Sequence, residues 1–75
     1  MNSKKILSLN LKKYRKENRI SQEEMAARAE LSTRGYGKIE RGEVQSSLDT
    51  LDKLCRATGL SQAFLLTENM EQQVL

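Results

Sequence analysis

The chain has 75 residues, with 13 Lys or Arg against 10 Asp or Glu, no histidine, no proline and one cysteine. This length fits one small domain, the composition favours an all-helical bundle, and a lone cysteine without histidine excludes an internal disulfide and a zinc ligand set. No apolar run reaches the roughly 18 residues of a membrane span and no signal-peptide core is present, so we expect a cytoplasmic protein with no membrane, metal or cofactor partner.

Positive charge is concentrated at the N-terminal end. Residues 1–19 hold seven Lys or Arg against Glu17 alone, a net charge of +6, whereas residues 20–47 carry −1 and residues 48–75 carry −2. A molecule that is basic at one end suits a polyanionic partner.

The first half of the chain predicts two helices. The first covers about residues 3–18, with an apolar stripe of Ile6, Leu7, Leu11 and Tyr14. Ser21 followed by Glu24 forms a capping box, which predicts that a second helix begins there. The inward face of this helix comprises Met25, Ala26 and Ala29.

A third helix is predicted directly after a break at Glu30 and Leu31. Ser32 can cap it, and Tyr36 and Ile39 lie on its inner face. Its outward row consists of Thr33, Arg34, Lys38 and Arg41. Two short helices joined by a tight turn, the second with basic and polar side chains outward, are the plan of a helix-turn-helix DNA reader.

Two further helices and a tail complete the domain. The fourth covers about residues 48–58, capped by Ser47, with Leu48, Leu51, Leu54 and Cys55 inward and Gly59 as its left-handed end. Ser61 can cap a short fifth helix containing Phe64, Leu65 and Leu66. Residues 1–67 then form the domain and residues 68–75 a tail. Because Leu66, Met70 and Val74 keep helical spacing, a frayed tail and a continuation of the last helix both remain open.

These motifs occur in an order that resembles the lambda-type repressor and Cro family, also called the Xre family. The resemblance covers about residues 7–66 and implies a compact five-helix, lambda-repressor-like fold. The matching residues are Leu11, Tyr14, Arg15, the run 21–26, Leu31, Ser32, and the runs 39–42, 47–51 and 59–61.

The resemblance implies roles for individual residues. The third helix would lie in the major groove, with Thr33, Arg34 and Lys38 reading bases, since Arg and Lys suit the acceptor edge of guanine. Phosphate contacts would come from Gln22, Arg41, Gln45 and Ser46. Arg15 and Glu40 would form a structural ion pair that holds the reading helix. Glu30 stands where the family usually has glycine, so it must adopt a left-handed conformation.

The sequence therefore predicts a sequence-specific double-stranded DNA-binding transcriptional regulator, a repressor of bacterial or phage origin, and not an enzyme. By the resemblance it would bind a pseudo-palindromic operator as a homodimer. The dimer interface is expected at Phe64, Leu66, Met70 and Val74. The alternative is an antitoxin or accessory subunit whose main partner is another protein.

Overall fold

The computed structural model describes residues 2–69, and within this range it contains five α-helices and no strand. The predicted all-α fold is confirmed. The helices follow in chain order: α1 (Ser3–Glu17), α2 (Gln22–Arg28), α3 (Thr33–Glu40), α4 (Leu48–Thr58) and α5 (Gln62–Leu65). None of these helices is long and apolar enough to cross a membrane.

Each helix begins at a polar side chain that accepts a hydrogen bond from a backbone N–H of the first turn. These bonds measure 2.9–3.1 Å and satisfy amides that have no partner inside the helix. The capping residues are Asn2, Ser21, Ser32, Ser47 and Ser61. All four predicted serine caps are confirmed.

Four residues in the helix connections have positive φ. Glu30 has φ 58°, so the strained conformation predicted for the α2–α3 turn is present. Arg19, with φ 55°, ends the α1 region in the same way, although its sequence neighbourhood did not predict this. Gly42 and Gly59, at 74° and 75°, are the glycines that end α3 and α4.

The core is formed by apolar side chains from all five helices and from the α1–α2 connection. Its buried members are Leu7, Leu11, Ile20, Met25, Ala26, Ala29, Tyr36, Ile39, Leu51, Leu54 and Leu65. Tyr14, Cys55 and Leu66 are partly buried against it. α1 packs on both α3 and α5, α2 packs on α3, and α4 packs on α5. α3 therefore lies on the side of α1 and α2.

The prediction that Leu48 faces the core is wrong, because this side chain is 77% exposed. Leu48 is the first residue of α4, and Cα–Cβ bonds in a helix lean toward the N-terminus. Its side chain therefore projects toward the N-terminal end of α4 and remains in solvent, whereas Leu51 and Leu54 are buried.

A buried asparagine of α1 closes the C-terminal end of α5. Asn10 Nδ2 donates to the carbonyl oxygens of Leu65 and Thr67 at 2.8 and 3.1 Å, and its Oδ1 accepts from Asn69 Nδ2 at 2.9 Å. Asn69 Nδ2 also donates to the carbonyl oxygen of Thr67, at 2.9 Å, so the two asparagines together supply donors to the chain end that follows α5. α5 ends at Leu65 and residues 66–69 are not helical, while the rest of the tail, with Met70 and Val74, lies outside the described residues.

Candidate nucleic-acid interface

The candidate interface is organised around one buried carboxylate at the end of α3. Glu40 is 1% exposed and accepts four hydrogen bonds. Arg15 donates from Nε to Oε2 at 2.8 Å and from Nη2 to Oε1 at 2.9 Å. Tyr36 Oη donates to Oε2 at 2.6 Å, and Gln22 Nε2 donates to Oε1 at 3.0 Å. The carboxylate thus joins α1, α2 and α3 at one point.

These contacts keep Glu40 ionised despite its burial. Burial by itself raises the pKa of this carboxyl, but the hydrogen bonds from Arg15, Tyr36 and Gln22 outweigh it and hold the pKa below its usual value. The hydrogen bond to Glu40 raises the pKa of the Arg15 guanidinium. Burial, followed by the bond to Glu40, raises the pKa of the Tyr36 hydroxyl. The network is therefore an Arg⁺–Glu⁻ pair with a neutral tyrosine and a neutral amide.

Two further contacts join α1 to its surroundings at this point, one to the α1–α2 connection and one to α3. Arg15 Nη1 donates to the carbonyl oxygen of Ile20 at 3.0 Å, which ties the ion pair to the α1–α2 connection. The buried Ser8 hydroxyl donates to the carbonyl oxygen of Glu40. Sequence reasoning missed Ser8, although a serine beside Leu7 and Leu11 in an apolar stripe indicates a buried polar contact.

The opposite side of α3 faces solvent. Thr33 and Arg34, in the first turn, are exposed, and Lys38 is partly exposed one turn after Arg34. Tyr36 and Ile39 point the other way, into the core. A helix held on its inner side by Glu40 therefore presents a hydroxyl, a guanidinium and an ammonium group on its outer side.

The predicted phosphate-binding residues are in different environments. Gln45 is exposed in the loop before α4. Gln22 donates one hydrogen of Nε2 to the Glu40 carboxylate, so the second hydrogen of Nε2 remains available for another acceptor. Ser46 does not suit its predicted role in this conformation, because its Oγ is buried and has no hydrogen-bond partner among the described residues. A hydroxyl enclosed in this way does not face a phosphate.

Arg41 is paired with a neighbouring carboxylate. Its Nε donates to Glu43 Oε2 at 2.5 Å, and the two side chains are 50% and 49% exposed. The hydrogen bond to Glu43 raises the pKa of Arg41, and the same bond lowers the pKa of Glu43. Sequence analysis treated Arg41 as a phosphate ligand and did not predict this internal partner.

The described residues contain no cluster of metal-ligating side chains, and their surface carries shallow depressions. No group of three or more His, Cys, Asp or Glu side chains between residues 2 and 69 is arranged to hold a metal ion. The surface depressions found there are shallow, at about 170, 130 and 90 Å³. The features with chemical consequence are thus the exposed face of α3 and its flanking loop.

Comparison with known proteins decides the family. Residues 11–65 match the helix-turn-helix family HTH_3. The chain belongs to this family. The Xre-type resemblance is thereby confirmed, and the matched segment contains α2, α3 and the partner residues Arg15 and Glu40. The chain is a helix-turn-helix DNA-binding transcriptional regulator.

Several relatives share most of this regulator's length. It is 32% identical to the HTH-type transcriptional regulator y4dJ of Sinorhizobium fredii, over 95% of this chain and 92% of the relative. It is 39% identical to control protein C.SmaI of Serratia marcescens, over 89% of this chain and 80% of the relative. It is 43% identical to the SPbeta prophage-derived HTH-type regulator YonR of Bacillus subtilis over 75% of this chain, which spans about half of that relative (52%).

A solved structure has the same fold. The crystal structure of the hypothetical transcription factor NHTF from Neisseria superposes with a TM-score of 0.86 and 25% sequence identity. The alignment covers 96% of this chain and 81% of that one. The five-helix arrangement therefore also occurs in a protein described as a hypothetical transcription factor.

Proposed function

We propose that this helix-turn-helix regulator represses transcription by reading a specific duplex sequence with α3. The observation that carries the proposal is the two-sided character of that helix. Glu40 and Tyr36 fix its inner side, whereas Thr33, Arg34 and Lys38 lie on its outer side. A rigidly held helix with free polar side chains is what major-groove recognition requires.

The chemistry of the three outward residues supports base recognition. An arginine can donate two parallel hydrogen bonds to O6 and N7 of guanine, which no other base pair accepts in the same pattern. Lysine addresses the same edge with less directional constraint. Threonine offers a methyl group for thymine and a hydroxyl for a base or phosphate. We assign the sharpest discrimination to Arg34, because it is in the first turn of α3 and exposed.

The flanking residues would position α3 on the sugar–phosphate backbone. Gln22 is the first residue of α2, where unpaired backbone amides favour an anion. Its second amide hydrogen can bind a phosphate while the first remains on Glu40. Arg41 and Gln45 follow α3 and complete the set that we propose. Ser46 would join it only if its hydroxyl rotated out of its buried position.

We further propose that the regulator acts as a homodimer in the cytoplasm of a bacterium, encoded by the host or a phage. One short helix contacts too few base pairs to select a site in a genome, and two-fold symmetry doubles the sequence read. Phe64 and Leu66 are partly buried and remain our interface residues, together with Met70 and Val74 outside the described range. The relatives from prophage and bacterial sources support this origin.

Selection of bound fragments from random duplex DNA tests the proposal. We expect recovery of an inverted repeat whose half-sites are centred about 10–10.5 base pairs apart, or a multiple of that spacing. A single half-site without a repeat would overturn the dimer proposal and leave sequence reading by α3 intact. Failure to enrich any sequence at low salt would overturn the DNA-reading proposal and favour an antitoxin or accessory subunit that acts through a protein partner.

A further inference from the structure

The turn after α3 brings the Glu43 carboxylate into contact with the guanidinium of Arg41, which we propose as a ligand of DNA phosphate. Gly42, with φ 74°, reverses the chain immediately after Arg41. The N–H of Gly42 donates to the carbonyl oxygen of Ile39 at 3.0 Å, and the N–H of Glu43 donates to that of Lys38 at 2.9 Å. These two bonds form a Schellman motif, which fixes the backbone of Glu43 relative to the helix. The closeness of Arg41 and Glu43 therefore follows from the local fold.

The Arg41 guanidinium also lies close to the backbone of α3. A Cβ atom at position 37 would be 2.9 Å from Nη1 of Arg41 and 3.7 Å from its Cζ. Because Gly37 has no side chain, Nη1 of Arg41 can approach the backbone of α3 closely at this point. Gly37 is itself buried. In the DNA-free protein, Arg41 is held between Glu43 and the backbone of the reading helix.

We propose that Glu43 is an internal competitor of the DNA phosphate for Arg41. The inference rests on the proposed function, in which Arg41 binds the backbone of the duplex. In the free protein the Glu43 carboxylate accepts the hydrogen bond of Arg41 Nε, and binding of the duplex replaces this carboxylate with a phosphate oxygen. Every encounter with DNA must then break one charge-assisted hydrogen bond before it forms another of the same kind.

This exchange reduces affinity without changing sequence preference. A phosphate carries no base identity, so the competition acts equally on operator and unrelated duplexes. An exposed ion pair is a weak competitor, because water screens it. Removing the competitor should therefore tighten binding only by roughly two- to five-fold. The ratio of the operator Kd to the non-operator Kd should remain the same.

A double-mutant cycle on the full chain tests the proposal. The Kd of wild type, Glu43→Gln, Arg41→Gln and the double variant is measured by fluorescence anisotropy on the selected operator and on one unrelated duplex. Glu43→Gln should bind both duplexes roughly two- to five-fold more tightly. In the Arg41→Gln background the same substitution should give little or no gain, because the guanidinium for which Glu43 competes is absent.

Asp52→Asn is the matched control. Asp52 also forms an exposed ion pair, with Arg56 at 3.0 Å, but both residues lie on α4 and neither is assigned to DNA or to the dimer interface. This variant removes the same charge without freeing Arg41, so its gain should be clearly smaller than that of Glu43→Gln. Thermal melts of all variants would show that each one is folded.

Several results would overturn the proposal. Equal gains from Glu43→Gln with and without Arg41 would show that the carboxylate acts only by long-range repulsion. No gain in either background would show that it does not compete. If Arg41→Gln alone leaves the Kd unchanged, Arg41 does not bind phosphate and the inference fails, while base reading by α3 stands. If the wild type binds no duplex, the proposed function itself fails.

Discussion

Replacing Arg15 by alanine should destabilise the fold much more than the loss of an exposed arginine. The change removes two hydrogen bonds to Glu40, at 2.8 and 2.9 Å, and one to the carbonyl oxygen of Ile20, at 3.0 Å. The Glu40 side chain is only 2% exposed, so water cannot replace the lost donors without opening the structure. Tyr36 and Gln22 would remain its only donors.

The size of the effect follows from the burial of the pair. Removing one partner of a buried pair costs about 3–5 kcal/mol, because it leaves an uncompensated charge. The Arg15 side chain is 17% exposed, so some solvent screening remains and we expect a loss near the lower end, about 3 kcal/mol. A chain of this length has a free energy of unfolding of about 4–11 kcal/mol. The variant should therefore keep about 1–8 kcal/mol, and only a wild type at the lower end of its range would bring the variant close to the limit of folding.

Urea denaturation followed by circular dichroism measures this loss, with Arg56→Ala as the control. Arg56 pairs with Asp52 at 3.0 Å, but the two side chains are 72% and 67% exposed. Its removal should change the free energy of unfolding by no more than about 0.5 kcal/mol. Both variants lose one arginine and one ion pair, so the difference between them reports the burial of the pair.

The pH dependence of the stability lost in Arg15→Ala shows whether the unpaired charge of Glu40 causes that loss. In the wild type the lowered pKa of Glu40 stabilises the fold above the unfolded value of about 4.3, and this contribution disappears as the pH falls through the folded pKa. In Arg15→Ala the carboxyl should accept a proton more readily, since burial is opposed by fewer donors. The stability gap between wild type and variant should thus narrow between about pH 7 and pH 4. A gap below about 0.5 kcal/mol at pH 7, or one that does not narrow, would refute this reasoning.

Two other substitutions test the local conformations. Glu30→Gly should raise the free energy of unfolding by up to about 1 kcal/mol in the same urea assay, because glycine adopts φ 58° without steric strain. An unchanged or lower free energy of unfolding would mean that the left-handed conformation of Glu30 costs nothing. Leu48→Gln should leave stability within about 0.5 kcal/mol, since this side chain is 77% exposed. Leu51→Ala should cost about 2–5 kcal/mol. A comparable loss at both leucines would mean that Leu48 is covered in solution.

Local signals in the sequence predicted the helices and turns well. Ser21, Ser32, Ser47 and Ser61 cap their helices as expected, because N-capping is decided by a few neighbouring residues. The strained backbone at Glu30 was expected from the family resemblance, because glycine usually stands at this position of the turn. Both features depend on short-range geometry that is visible in the order of residues.

Features that depend on the assembled fold were missed or wrong. The outward position of Leu48 depends on where neighbouring elements end, and hydrophobic spacing alone does not show this. The enclosed hydroxyl of Ser46 depends on the path of the loop after Gly42. The Arg41–Glu43 pair arises from the local turn at Gly42, but the sequence did not show that the two side chains would pair. The pair of Arg15 and Glu40 was expected from family resemblance, but the hydrogen bonds from Tyr36 and Gln22 required the packing of three helices.

Base reading by Arg34 is the central claim, and titration of Arg34→Ala against the operator and its single-base variants tests it most directly. On the operator we expect a loss of about 1–3 kcal/mol in binding free energy, with relaxed preference at one base position. Gln22→Ala serves as the comparison and should weaken binding about equally on every sequence, because its proposed ligand is a phosphate. A loss for Arg34→Ala that is the same on all the variants would contradict the account and make Arg34 a phosphate contact.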